Sequence, residues 1–130
     1  MSLGPLMVDI AGSELTPDDI QVLSHPLVGS VILFSRNYRD AAQVSSLTAA
    51  IRAVRTPSLL VAVDHEGGRV QRFRDGFTRL PPARSLGRRY DEDRREGLSL
   101  AQAAGWLMAS ELRPWALILA LRPAWTSTMA

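Results

Sequence analysis

The chain has 130 residues, enough for one domain core, and its 46% apolar and 22% charged residues fit a globular protein rather than a disordered or collagen-like one. It has no cysteine, which excludes disulfides and thiolate metal sites. Its basic residues other than histidine are all arginine, and a net charge of +2 is too small to imply a nucleic-acid partner.

The opening Met1-Ser2-Leu3-Gly4-Pro5 lacks the basic start of a signal peptide, so a cytoplasmic location is expected. Leu6 to Ile10 reads as a first strand closing in Ala11-Gly12. Asp9 lies inside it, where a carboxylate must find an arginine or face water. Thr16-Pro17-Asp18-Asp19 offers a helix cap, proline at the first helical position and acids in the first turn. Ile20 and Leu23 are expected one turn apart on a common face of that helix, which stops near His25-Pro26. Val28 to Phe34 reads as a second strand bounded by Ser35-Arg36-Asn37. Asp40 can cap a second helix, in which Val44, Leu47, Ile51 and Val54 recur at helical spacing. Leu59 to Val63 reads as a third strand. Near-continuous apolar strands between amphipathic helices predict a parallel α/β sheet covered on both faces.

Beyond Arg72 the spacing loosens. Phe73 to Tyr90 contains Gly76, Pro81, Pro82 and Gly87 and reads as a long loop, of a length that is usually functional. Gly97 to Leu112 reads as a third helix with Leu98, Ala101, Gly105, Met108 and Leu112 inward and Trp106 beside the core. Trp115 to Leu121 is apolar but too short to span a bilayer, so no membrane partner is expected. Nothing in the sequence sets the oligomeric state.

The most informative segment is Val63-Asp64-His65-Glu66-Gly67-Gly68-Arg69-Val70-Gln71-Arg72. An apolar run ends in two carboxylates, two glycines and two arginines, the pattern by which a buried parallel strand delivers polar groups to the sheet's carboxyl edge, where ligands bind. Asp64 and Glu66 are two apart, so their side chains share one face. The glycines permit a sharp turn and close approach. Arg69 and Arg72 can balance the acids or grip hydroxyls and carboxylates with forked donors. The same residues also fit a salt-bridged strand end with a glycine turn. A metal site on Asp64, His65 and Glu66 is disfavoured, because adjacent strand residues face opposite ways. Arg36 and Asn37 fall on the same edge, as ligand contacts or as ordinary loop residues. His25, before a proline, reads as structural.

These residues carry a resemblance. The Val63–Arg72 segment resembles the signature of bacterial β-N-acetylhexosaminidases of glycoside hydrolase family 3, which usually have glutamine where His65 stands. Gly29-Ser30-Val31-Ile32-Leu33-Phe34-Ser35-Arg36-Asn37 is similar to their second-strand motif, and Met7-Val8-Asp9-Ile10-Ala11-Gly12 and Leu80-Pro81-Pro82 also fit. The resemblance implies a (β/α)8 barrel, here its first three βα units with parallel strands. It also implies hydrolysis of terminal β-linked N-acetylglucosamine in peptidoglycan recycling, without a cofactor or metal. It places Asp64 and Arg72 at the sugar, with Glu66, Arg69, Arg36 and Asn37 as possible supports. The family's nucleophilic aspartate and its catalytic histidine, near a Lys-His motif, have no counterpart in this chain, so no catalytic residue is assigned. Two carboxylates on one strand cannot flank a glycosidic bond from opposite sides. A β-glucosidase-type relative and a non-catalytic sugar-binding or interaction module remain as alternatives.

The resemblance runs from about Gly4 to Leu112. Residues 1–112 are therefore expected to be the family's barrel part, and 113–130 an aberrant tail. Back-translated from Pro114 and read two bases later, the tail can encode Leu-Gly-Val-Asp-Leu-Ser-Leu-Ala-Pro-Gly-Leu-Asp, close to the family's fourth strand. A frameshift near Arg113 is the expectation, and the coding DNA decides it.

Overall fold

The computed structural model describes residues 3–115 and 119–121. It is an α/β fold built on a curled sheet. Three strands, β1 (Leu6–Val8), β2 (Val28–Leu33) and β3 (Leu60–Gly67), run parallel in that order. Two helices connect them, α1 (Pro17–Leu23) and α2 (Ala41–Ala53). A two-residue β4 (Val70–Gln71) folds back antiparallel on the end of β3, followed by α3 (Ala83–Glu92) and α4 (Arg94–Leu112). A short β5 (Leu119–Leu121), from the segment expected as a tail, pairs in parallel with β3 on the side away from β2.

Local chemistry accounts for the helix starts. The Thr16 hydroxyl accepts from the Asp19 N–H at 3.1 Å, and the Asp19 carboxylate accepts from the Thr16 N–H at 2.9 Å, a reciprocal cap. Asp40 caps α2 through the Gln43 N–H at 2.8 Å. Asp93 caps α4 by accepting from the Glu96 N–H at 3.0 Å. Arg89 of α3 then ties the two helices together, reaching Glu92 at 2.8 Å and Glu96 at 2.6 Å.

The core forms where the odd-numbered strand residues meet the helices. Val31, Leu33, Val61 and Val63 pack with Leu23, Val44, Leu47, Ile51, Met108 and Leu112. The opposite sheet face carries Ser30, Ile32, Phe34, Asp64 and Glu66, all half-buried. The expectation of a sheet covered on both faces is therefore corrected: among the described residues the packed helices lie against one face. A curled sheet with its helices outside has this geometry, and its inner face is the side that lines a barrel's interior.

Other expectations shift. The long loop is shorter than expected, because α3 starts at Ala83, directly after Pro82 as its N-cap. α4 starts at Arg94 rather than Gly97. On it, Leu98 and Ala101 are exposed, and Trp106 is 71% exposed rather than at the core. Ile20 also faces out while Leu23 is fully buried. Each of these helices turns a narrower stripe inward than its apolar content suggested. The third strand extends past Val63 to Gly67, because its end is paired by β4.

Candidate functional site

The carboxyl ends of β1, β2 and β3 bring together Asp9, Phe34, Arg36, Asp64, Glu66 and Arg72. β3 ends in a glycine turn with Gly67 at φ 85° and Gly68 at φ 61°. A side chain at Gly67 would place its Cβ 2.4 Å from the Pro81 carbonyl oxygen, so the turn and the Leu80-Pro81-Pro82 segment can approach only at glycine. The Gly68 N–H donates to the Leu80 carbonyl at 2.8 Å. β4 then returns the chain so that Arg72 lies beside Asp64. The Arg72 N–H donates to the Asp64 carbonyl at 3.2 Å, and its guanidinium Nη2 stands 3.5 Å from the Asp64 carboxylate. Both side chains keep access to water, 34% for Arg72 and 23% for Asp64.

Glu66 shares this inner face and is half-buried, and its side chain makes no hydrogen bond or ion pair among the described residues. Arg69 points outward and is exposed. Its part here is through the backbone, where its carbonyl accepts from Arg74 at 2.9 Å. Arg36 pairs with Asp9, and its Nε donates to the Ile10 carbonyl at 3.2 Å. The expectation of a carboxylate inside the first strand is corrected: Asp9 lies just past β1, exposed and paired with this arginine. Asn37 is fully buried, and its amide nitrogen donates to Ile10 and Gly12 carbonyls at 3.1 and 2.7 Å while its oxygen accepts from the Phe34 N–H at 2.8 Å. With its amide committed to backbone, Asn37 shapes the edge from beneath.

Three features were not read from the sequence. Gln71 is buried and organises the loop after it, accepting from the Leu80 N–H at 3.0 Å and donating to the Phe73 and Thr78 carbonyls at 3.2 and 2.9 Å. Glu111 of α4 holds the same loop through the Thr78 hydroxyl at 2.6 Å. His65, on the opposite face from the two acids, is fully buried against Phe73 and Phe77, with neither ring nitrogen hydrogen-bonded among the described residues. The outward direction of His65 follows from strand alternation; its isolation depends on loop packing that no local pattern records.

That isolation has a pH consequence. Burial holds the His65 pKa below its ordinary value, and the Glu111 carboxylate offsets part of the effect. The unfolded chain therefore takes up this proton first as pH falls. The contribution is fully present above the ordinary histidine pKa of about 6.5 and is lost as pH drops through it toward the lower folded value. Thermal melts at about pH 7.5 and about pH 5.5 should show a larger loss for the parent chain than for His65→Gln. Equal losses would contradict the buried neutral imidazole.

Residues 6–124 match the family described as the glycosyl hydrolase family 3 N terminal domain. The chain belongs to this family. The matched span runs past the 1–112 boundary expected for the barrel part. Among curated relatives, the chain is 59% identical over 113 residues to a beta-hexosaminidase of Methylobacillus flagellatus, covering 87% of this chain and 32% of the relative. It is 62% identical over 113 residues to a beta-hexosaminidase of Nitrosospira multiformis, with the same two coverages of 87% and 32%. The chain thus spans about a third of the length of the curated relatives it matches. Its fold superimposes on NagZ of Neisseria gonorrhoeae, solved in complex with N-trifluoroacetyl-D-glucosamine. The TM-score is 0.91 at 45% identity, covering 95% of this chain and 37% of that one. A family 3 beta-N-acetylglucosaminidase from a Paenibacillus strain gives a TM-score of 0.73 at 33% identity, covering 84% of this chain and 20% of that one. The expected fold, a partial (β/α)8 barrel with parallel strands, agrees with these matches; the antiparallel β4 is an addition to it.

Proposed function

We propose that the carboxyl edge of β3 is one wall of a subsite for terminal β-linked N-acetylglucosamine, within a family 3 hexosaminidase of the relatives' length that hydrolyses the bond with retention. The observation that carries this reading is Asp64, a half-buried strand-end carboxylate braced on one side by Arg72 at 3.5 Å. A carboxylate in that setting accepts hydrogen bonds from two sugar hydroxyls, and the arginine keeps it oriented. Glu66 supplies a second acceptor on the same face. Asp64 and Glu66 are binders in this reading, since a retaining pair must approach the glycosidic bond from both sides. The family resemblance further supports a cytoplasmic role in peptidoglycan recycling. Among the described residues no helix is long and apolar enough to cross a membrane.

The test compares two aryl glycosides. A protein carrying this segment at the relatives' full length should release nitrophenol from the β-N-acetylglucosaminide and little from the β-glucoside, while the 130-residue chain alone should release none. Turnover by the 130-residue chain would contradict the assignment of binding without cleavage. A preference for the glucoside would favour the β-glucosidase alternative.

A further inference from the structure

Among the described residues the Arg72 side chain has few polar anchors. Its backbone is fixed, by its N–H to the Asp64 carbonyl and by the Ser35 hydroxyl donating to its own carbonyl at 3.2 Å. Among the described residues the side chain beyond has a single polar partner, Asp64 at 3.5 Å, near the limit for a hydrogen bond. Its Nε is buried without a hydrogen-bond partner among the described residues. One long contact does not hold a side chain with four rotatable bonds in a single orientation. The other restraint among the described residues is aromatic: the guanidinium carbon lies over the Phe34 ring, 5.5 Å from its centroid. Arg36 lies over the same ring at 4.9 Å and is itself tied to Asp9 and the Ile10 carbonyl. One phenyl ring at the end of β2 therefore carries two guanidinium groups, each balanced by its own carboxylate. Phe34 is half-buried on the inner face and stands outside the hydrophobic core cluster, so packing the core is not its task.

We propose that Phe34 is a positioning residue that seats the Arg72 guanidinium beside Asp64 through its ring face, and so sets the affinity of the β3-edge subsite. The inference rests on the reading of that edge as a sugar subsite. Leucine keeps much of the apolar volume but lacks the negative ring face that attracts the cation, whereas tyrosine keeps it. The test uses an isotope-labelled protein carrying this segment at the relatives' full length, with the Arg72 Nε–Hε resonance and an N-acetylglucosamine titration as readouts. Phe34→Leu should move the Arg72 resonance and weaken sugar binding about five- to tenfold with an unchanged melting temperature. Phe34→Tyr should restore both. Sugar binding in the parent chain that Phe34→Leu leaves unaltered overturns this inference alone. A parent chain in which the sugar perturbs neither Asp64 nor Arg72 overturns the subsite reading itself, whatever the Arg72 resonance does. If Phe34→Leu loses its fold, Phe34→Met against Phe34→Tyr makes the same comparison.

Discussion

Replacing Asp64 with alanine is expected to abolish measurable N-acetylglucosamine binding while leaving the fold intact. A carboxylate accepting two hydroxyl hydrogen bonds contributes about 1.5 kcal/mol or more through each, so their joint loss weakens binding on the order of a hundredfold. The substitution also strips Arg72 of its only polar side-chain partner among the described residues, at 3.5 Å. Stability should change little, because both partners are part-exposed and such an ion pair is worth about 0–1 kcal/mol. Asp64→Asn should fall between the two, since an amide keeps one acceptor and offers a donor where the sugar hydroxyl also donates. Binding retained in Asp64→Ala would remove the carboxylate from the subsite. A collapse in melting temperature would make it a structural residue instead.

The second large effect falls on stability. Phe73 is fully buried, stacked on Tyr38 with ring centroids 4.6 Å apart and in contact with Phe77 at 5.7 Å. Tyr38 in turn donates its hydroxyl to the Asp75 carbonyl, closing the loop around the ring. Phe73→Ala should cost about 3–5 kcal/mol, a large share of the roughly 5–15 kcal/mol that keeps a domain folded. The melting temperature should fall on the order of 10 °C or more. Because Phe73 directly follows Arg72, sugar binding should weaken with it. A loss under about 1 kcal/mol would mean that the loop closes without this aromatic cluster.

Much of this was legible in residues whose effect is local. Thr16 and Asp40 announce their helices because a cap needs only a side-chain oxygen and an N–H two or three residues on. The first three strands follow from their apolar runs, β-branched in the second, and the shared face of Asp64 and Glu66 from alternation alone. What the sequence hid depends on partners far along the chain. Glu111 reaches Thr78, Gln71 spans to Leu80, and Phe34 gathers Arg36 and Arg72 from two separate segments. Trp106 and Leu98 misled for a related reason: apolar periodicity says that a helix has an inner face, but not how wide that face is. The single helical layer against the sheet is likewise a property of curvature, which strand composition does not encode.

The most direct test of the account is where N-acetylglucosamine binds on an isotope-labelled protein carrying this segment at the relatives' full length, read from chemical-shift changes along the sequence. The expected result within this segment is a set of shifts confined to Asp64, Glu66, Gly68, Arg72 and the Phe34–Arg36 end of β2, weaker with glucose at the same concentration. Shifts confined instead to the exposed α3–α4 surface, or none at the β3 edge at any attainable sugar concentration, would contradict it.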